Sequence, residues 1–144
     1  MLLTLEKIEY GKLNSRQKEA YLLQHVSAKF ADFGFITIAV SSDWGGADFI
    51  AQHISGAFIK VQQKSRLSFY KKYLNQNLYI CFPSNDVWFL YPHDELLKKL
   101  LSLGKFEGTK AWDIQGGYST ELSKEHKVLL EPYILQAGLI LTVE

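Results

Sequence analysis

Cysteine is nearly absent from this sequence, and its scarcity excludes two classes of small protein. A single cysteine, Cys81, stands among 144 residues. One thiol cannot form an internal disulfide framework or a cysteine-based zinc site. Because Cys81 lies in the apolar run from Leu78 to Phe82, we expect it to be buried and unreactive.

Long hydrophobic runs are also missing. No stretch approaches the ~20 apolar residues that a membrane-spanning helix requires, and residues 1–13 lack the basic start and apolar core of a signal peptide. These absences predict a cytoplasmic protein with no membrane partner. With 47% hydrophobic and 22% charged residues, the composition is that of one globular domain over residues 1–144.

Acidic residues are absent from one long window of the chain. Between Phe49 and Asn85 there is no aspartate or glutamate, although the net charge of the whole chain is only +1. The window holds five basic residues, with aromatics interleaved among the last three: Lys60, Lys64, Arg66, Lys71 and Lys72. We therefore predict a basic face that contacts phosphates, with base stacking on exposed rings. The alternatives are a chance gap in acids and aromatics that belong to the core.

A β-hairpin is predicted for residues 47–66, and one of its faces is polar. Two β-rich runs, 47–53 and 58–66, flank a turn that contains glycine. Side chains alternate between the two faces of a strand, so Gln62 and Lys64 share the face opposite to Val61. Asp48, on the first run, reaches the same patch if the register allows it. An acid, an amide oxygen and a lysine on adjacent strands suit a divalent metal beside a phosphate.

The order Asp48, then Gln62-Gln63-Lys64 on the next strand, resembles the signature of the PD-(D/E)XK nuclease superfamily in a Gln-X-Lys variant. The resemblance covers roughly residues 14–101. Ala47 stands where the signature has proline, and Gln62 replaces its second acid. Family members carry a further glutamate in a preceding helix, a place that Glu19 fills; Glu19 alone also fits a solvated residue that favours the helix dipole.

The resemblance implies an α/β or α+β fold with a restriction endonuclease-like core, in which helices flank a mixed central β-sheet. It implies Asp48, Gln62, Lys64 and Glu19 as catalytic residues. The metal that it implies is Mg²⁺, with Mn²⁺ as a substitute, and the ligands would be Asp48, Glu19, the amide oxygen of Gln62 and the backbone carbonyl of Gln63. Asp43 is an alternative metal-binding acid.

The function expected from the resemblance is metal-dependent hydrolysis of DNA phosphodiester bonds, by an endonuclease of restriction, homing or junction-resolving type. A homodimer or higher homo-oligomer is expected, since two strands need two sites. The residues expected to contact DNA are Lys60, Arg66, Tyr70, Lys71 and Lys72. Two other readings stay open: a catalytically weak or inactive nucleic-acid-binding or assembly protein with this fold, and an unrelated interaction module.

No histidine pair has zinc-ligand spacing, and neither glycine pair has the pattern of a phosphate loop.

The N-terminal part of the chain predicts a helix followed by a buried strand. Asn14 and Gln17 form a capping-box pattern for a helix over 14–32. The run from Phe35 to Val40 lacks polar alternation, which favours a central strand covered on both faces. Residues 41–46 read as a loop.

The C-terminal half predicts a second hairpin, over 78–82 and 87–91, and then a helix opened by Pro92. His93 reads as a cap or surface residue. Residues 105–122 read as a loop-rich stretch, and Ser123 caps a last helix over 124–136 that Pro132 breaks or kinks. Residues 139–143 read as a closing edge strand or a tail that pairs with another subunit.

Overall fold

A five-stranded sheet forms the centre of the structure. The computed structural model describes residues 1–105 and 108–144, except for the side chains of Ser42 and Asp43. In chain order, the helices and strands are α1 (Ser15–Ala31), β1 (Phe35–Trp44), β2 (Ala47–His53), β3 (Phe58–Gln63), β4 (Leu67–Tyr70), β5 (Leu78–Ser84), β6 (Val87–Pro92), α2 (His93–Ser102), α3 (Lys110–Asp113), β7 (Gly117–Thr120) and α4 (Lys124–Leu130). Single 3₁₀ turns occur at Tyr10–Lys12, Lys71–Tyr73 and Glu131–Tyr133.

The central sheet is mixed, with the spatial order β1-β2-β3-β5-β6. Neighbouring strands run antiparallel except β3 and β5, which are parallel. Helix α1 packs on one face, and α2 and α4 contribute to the core on the other. The expected fold class, a mixed central sheet flanked by helices, is confirmed.

The connection from β3 to β5 decides what covers the end of β3. A parallel pair requires a crossover over one face of the sheet. Here the crossover contains β4, which pairs with β7 in a separate two-stranded sheet, and the 3₁₀ turn Lys71–Tyr73. The crossover therefore brings residues 66–73, the basic segment of the acid-free window, over the sheet and next to the end of β3.

Helix α1 forms and docks as its sequence predicts. The Asn14 side chain accepts a hydrogen bond from the Gln17 amide, and the Gln17 side chain accepts one from the Asn14 amide, both at 2.9 Å. Val26 and Phe30 are fully buried in the same cluster as Phe49 of β2. Burying side chains of this size stabilises the fold by about 1.5–3 kcal/mol each, so docking, rather than the cap, holds α1 in place.

The opposite face of the sheet has its own core. Leu96, Leu97 and Leu100 of α2 are buried together with Ile80 of β5 and Tyr91 of β6. The predicted hairpin of β5 and β6 is confirmed, and so is the helix that follows Pro92. Cys81 is fully buried as expected, and its burial raises its pKa well above the ordinary value.

The prediction for the first strand was wrong in position. β1 is an edge strand, not a central one, and it extends through the predicted loop to Trp44. The side chains of Ile36 and Ile38 are 68% and 50% exposed. An apolar run indicates burial on both faces, but only the pairing of strands decides which run becomes the edge of the sheet.

Two predictions for the C-terminal half need correction. The stretch 105–122 contains α3 and β7, where a loop-rich segment was expected; Phe106 and Glu107 of that stretch lie outside the described residues. Residues 139–143 form no strand, and their segment binds its own chain: Glu144 and Phe58 exchange backbone hydrogen bonds of 3.0 and 3.1 Å.

The break predicted at Pro132 is confirmed, because α4 ends at Leu130 and Pro132 lies in a 3₁₀ turn. A membrane-spanning helix is also absent, since none of the helices in the described ranges combines the necessary length with the necessary hydrophobicity.

Candidate active site

A polar cleft of about 750 Å³ opens where β3 ends. Asp48 from β2, Gln62 from β3, and Lys64, which directly follows β3, all line it. The hairpin tip between β1 and β2 forms one wall, and the crossover segment forms the other. The remaining lining residues are Val40, Ser41, Gly45, Gly46, Ala47, Lys72, Tyr73 and Gln76.

The antiparallel register of β2 and β3 places Asp48 next to the end of β3. Phe49 pairs with Val61, so Asp48 lies opposite Gln62, and its Oδ2 accepts a 2.9 Å hydrogen bond from the Gln63 amide. Burial is the main effect that raises the pKa of Asp48; the Gln63 hydrogen bond lowers it, Glu19 raises it and Lys64 lowers it. A bound cation would stabilise the ionised form that burial disfavours.

Gln62 presents its amide beside Asp48. Its Nε2 donates a 3.3 Å hydrogen bond to the backbone carbonyl of Gln63. This bond turns the nitrogen toward the backbone and leaves the amide oxygen available as an acceptor for a ligand. The Gln63 carbonyl keeps a second lone pair, so it too remains able to bind a cation.

Gln63 connects the site to α1 on the other face of the sheet. Its Nε2 donates a 3.1 Å hydrogen bond to the backbone carbonyl of Glu19. This bond fixes the first turns of α1 beside the end of β3, close enough for Glu19 to raise the pKa of Asp48. The Glu19 side chain is exposed and is not part of the cleft lining, so Glu19 lies at the margin of the site.

Lys64 enters the cleft from the strand end. Its backbone amide donates a 2.8 Å hydrogen bond to the Cys81 carbonyl of β5, which extends the parallel pairing by one residue. Its ammonium lies 4.7 Å from the ring centre of Tyr70 and 5.3 Å from that of Tyr73. The ammonium of Lys72 lies at 5.4 and 5.3 Å from the same rings. Both ammonium groups thus contact the same two aromatic rings.

The cations of the cleft are not neutralised by ion pairs within the described residues. The pairs found there are His93–Asp94 and Lys105–Glu125, and neither involves Lys64 or Lys72. Cation–π contacts orient the two lysines without cancelling their charge. Among the described lining residues, one carboxylate, Asp48, stands beside the two ammonium groups of Lys64 and Lys72, a balance that favours an anionic ligand.

The other predicted DNA-contacting cations lie outside the lining of this cleft. A side chain at Gly45 would meet Lys60 Nζ at 3.4 Å, so Lys60 lies beside the hairpin tip. Lys71 is exposed and its ammonium lies 5.1 Å from the Trp112 ring. Arg66 is exposed and donates a 2.9 Å hydrogen bond from Nε to the hydroxyl of Ser119 on β7.

The aromatics of the basic segment are mostly core residues. Phe69 and Tyr73 are buried, which agrees with the alternative prediction that these aromatics belong to the core. Tyr70 is half-buried, with Lys64 and Lys72 over its ring. Any base stacking from this segment would therefore have to involve Tyr70.

His93 is fully buried, so the prediction that it is a cap or surface residue was wrong. Its Nε2 accepts a 3.1 Å hydrogen bond from the Tyr70 amide, and its Nδ1 donates to Asp94 at 2.8 Å. Asp94 in turn accepts a 2.8 Å hydrogen bond from the Asn75 amide. The pair therefore holds both ends of the segment that carries Lys71 and Lys72, and burial lowers the pKa of His93.

The sequence also gave no clear signal for the walls of the cleft. Gly45 and Gly46 have φ angles of 62° and 85°, which suit a tight hairpin turn. A Cβ at Gly46 would come within 3.0 Å of the Tyr73 ring, so only glycine lets the tip pack there. Gln76 completes the opposite wall. The Gly-Gly pair predicted a turn, but not what the turn would contact.

The donor set fits a hard divalent cation held by few protein ligands. Asp48 and Gln62 supply oxygens, which Mg²⁺ prefers, and water completes the shell of such ions. In the described part of the chain, no three side chains of the His, Cys, Asp and Glu types come together as a metal site. The Asp43 side chain lies outside that part. One half-buried carboxylate, that of Asp48, predicts modest metal affinity.

Comparisons with known proteins show a weak likeness to solved structures. No protein-family model matches the chain, and no curated protein matches its sequence. Among solved structures, the chain is similar to Hjc, a Holliday junction resolvase from the archaeal hyperthermophile Archaeoglobus fulgidus. The identity is 13% and the TM-score 0.44, over 54% of this chain and 74% of the other. We assign neither a family nor an activity to the chain from this likeness.

Proposed function

We propose that this protein is a divalent-metal-dependent DNA endonuclease of the PD-(D/E)XK type, in a Gln-X-Lys variant. The observation that carries the proposal is the cleft that Asp48, Gln62 and Lys64 line together. The register of β2 and β3 sets Asp48 opposite Gln62, and Lys64 directly follows β3. Their types are those that metal-assisted phosphodiester hydrolysis uses.

Asp48 and Gln62 would hold the metal, with the Gln63 carbonyl as a further ligand and Glu19 acting through water. Bound Mg²⁺, or Mn²⁺ in its place, supplies Lewis-acid stabilisation of the phosphoryl oxygens and a more acidic water. The excess positive charge of the cleft supports an anionic substrate next to this metal site.

Lys64 is the residue proposed to act on the reacting groups. Its ammonium would orient the attacking water and offset the negative charge that develops on the phosphoryl oxygens. The water oxygen forms the new bond to phosphorus and gives up its proton to solvent, while the P–O bond to the leaving sugar oxygen breaks and that oxygen takes up a proton from solvent. Tyr70 and Tyr73 fix the position of the Lys64 ammonium, which reduces the reorganisation needed during the reaction.

The DNA backbone would approach along the basic segment. The positions of the proposed phosphate-binding cations, around the hairpin tip and along the crossover, support such a path; they are Lys60, Arg66, Lys71 and Lys72. Cutting both strands of a duplex requires two sites, so the proposal includes a homodimer or higher homo-oligomer.

A cleavage assay tests the proposal. Supercoiled plasmid, linear duplex and branched DNA are incubated with the protein in Mg²⁺, in Mn²⁺ and in EDTA. We expect metal-dependent cutting, a loss of at least ~100-fold in Asp48→Asn or Lys64→Ala, and retained DNA binding in both variants. Asp86→Asn, a change at an exposed acid outside the cleft, is the matched control and should cut normally. Cutting that persists in EDTA, or in Asp48→Asn at the wild-type rate, would refute this mechanism.

A second candidate is a nucleic-acid-binding or assembly protein that has lost efficient catalysis. The observation in its favour is that no three metal-binding side chains converge in the described part of the chain. Tight, salt-sensitive DNA binding with no cutting of any of the three substrates, in either metal, would favour this candidate over the nuclease.

A further inference from the structure

Residues 1–9 form an apolar arm that their own chain leaves uncovered. Its five large apolar side chains are 62–118% exposed: Met1, Leu2, Leu3, Leu5 and Ile8. No helix or strand is formed in this arm. Five such side chains within nine residues are far more than the scattered apolar residues of an ordinary protein surface.

The root of the arm is fixed on α1. The Tyr10 ring lies 5.3 Å from the Tyr21 ring, and the Lys18 ammonium lies 5.4 Å from the Tyr10 ring centre. The 3₁₀ turn at Tyr10–Lys12 then leads into the cap of α1. The arm therefore leaves the body of the protein at a defined point.

A second uncovered apolar feature is the outer edge of the sheet. β1 is ten residues long and pairs only with β2 within the described residues, so its outer row of N–H and C=O groups has no strand partner there. Ile36 and Ile38 are exposed beside this edge, and residues 35–41 include no charged side chain. Natural proteins protect long apolar edges with charges, prolines or bulges, and the first part of β1 has none of the charges or prolines.

We propose that the apolar arm of a second copy of this chain lies along the outer edge of β1 as an added strand. Side chains of an extended segment alternate between faces, so Leu3 and Leu5 share one face and would cover Ile36 and Ile38. The arm and the first part of β1 are of comparable length, at ~3.3 Å per residue. Backbone pairing would satisfy the open edge, as in other cases of strand addition.

The occupant is a second copy because each chain carries both uncovered features. In a single chain the arm stays exposed rather than folding back onto β1. A two-fold axis lets each chain give its arm and receive its partner's, so the exchange closes at a dimer. This assembly does not depend on what the cleft binds, so its test and the cleavage assay can fail separately.

The first test is the mass of the full chain in solution, measured by sedimentation equilibrium across a range of protein concentrations. We expect a dimer for the wild type and a monomer, or a dimerisation constant weakened at least tenfold, for Leu3→Glu/Leu5→Glu and for Ile36→Glu/Ile38→Glu. The control Leu103→Glu/Val128→Glu changes two other exposed apolar residues and should stay dimeric. A monomeric wild type, or arm variants of unchanged mass, would overturn the proposal.

The second test identifies the contact itself and does not depend on loss of assembly. A Leu5→Cys variant is mixed with an Ile38→Cys variant under mild oxidation; the native Cys81 is buried and contributes little background. We expect disulfide-linked dimers that contain one chain of each kind. A variant that carries both Leu5→Cys and Ile38→Cys provides the opposite outcome. If it forms only an internal disulfide, at low and at high protein concentration, the arm covers β1 of its own chain and the proposal is wrong.

Discussion

At the scale of the residue, Gln62 is the position where this chain departs most from an acidic metal site. If its amide oxygen binds the metal, Gln62→Glu should tighten Mn²⁺ binding, because a second charge joins Asp48. Gln62→Leu removes the oxygen and should weaken binding by at least tenfold. Calorimetric titration with Mn²⁺ measures both changes, with Gln52→Leu, at an exposed position of β2, as the control. Equal affinities in wild type and Gln62→Leu would show that Gln62 is not a ligand.

His93 is a second residue whose role can be measured, through the pH dependence of stability. Burial lowers its pKa below the ordinary value of 6.5, so the folded chain favours the neutral ring, which accepts from the Tyr70 amide. As the pH falls through 6.5, the unfolded chain takes up a proton that the folded chain resists. The free energy of unfolding should therefore fall between pH 7 and pH 5.

Urea unfolding across that pH range, for wild type and His93→Gln, isolates this effect. The variant should be less stable at pH 8 by about 1–3 kcal/mol, since it disturbs buried hydrogen bonds. Its stability should change less than that of the wild type between pH 7 and pH 5, because the titrating ring is gone. Parallel pH profiles for the two proteins would contradict the role assigned to His93.

At the scale of the element, the crossover from β3 to β5 is the part of the fold that concentrates charge. Lysines that bind phosphates release condensed counterions, and the log–log salt dependence of affinity has a slope of about −0.9 per contact. Lys71→Ala/Lys72→Ala should therefore weaken DNA binding on all sequences and reduce the slope by roughly one to two.

The matched control for this double variant is Lys98→Ala/Lys99→Ala, which removes two adjacent exposed lysines from α2 and the same net charge. Binding is followed by fluorescence anisotropy of a labelled duplex in increasing KCl. An effect as large in the control as in the crossover variant would show a general response to net charge instead of a phosphate path. Unchanged binding in both would leave Lys71 and Lys72 as part of a solvated face.

At the scale of the whole molecule, the layers on the two faces of the sheet support the cleft in different ways. One face holds α1, and the hydrogen bond from Gln63 to the Glu19 carbonyl fixes that helix at the site. The other face carries α2, whose first residues His93 and Asp94 anchor the crossover. The cleft therefore depends on both layers, and its geometry is a property of the complete domain.

Local pattern was sufficient for much of this architecture. The capping box at Asn14 placed α1, alternation placed Gln62 opposite Val61, and Pro92 placed the start of α2. These features involve residues close together in the chain, where spacing alone determines which side chains share a face. The acid-free window was equally visible, because charge needs no structure to be counted.

Tertiary structure decided what those elements contact. The run from Phe35 to Val40 has the composition of a central strand, but strand order made it an edge and left Ile36 and Ile38 exposed. His93 reads as a surface residue until the crossover folds over it and supplies the Tyr70 amide. Both outcomes depend on pairing between segments distant in the chain, which is set by the total burial of the sheet faces and is not encoded in any one stretch of sequence.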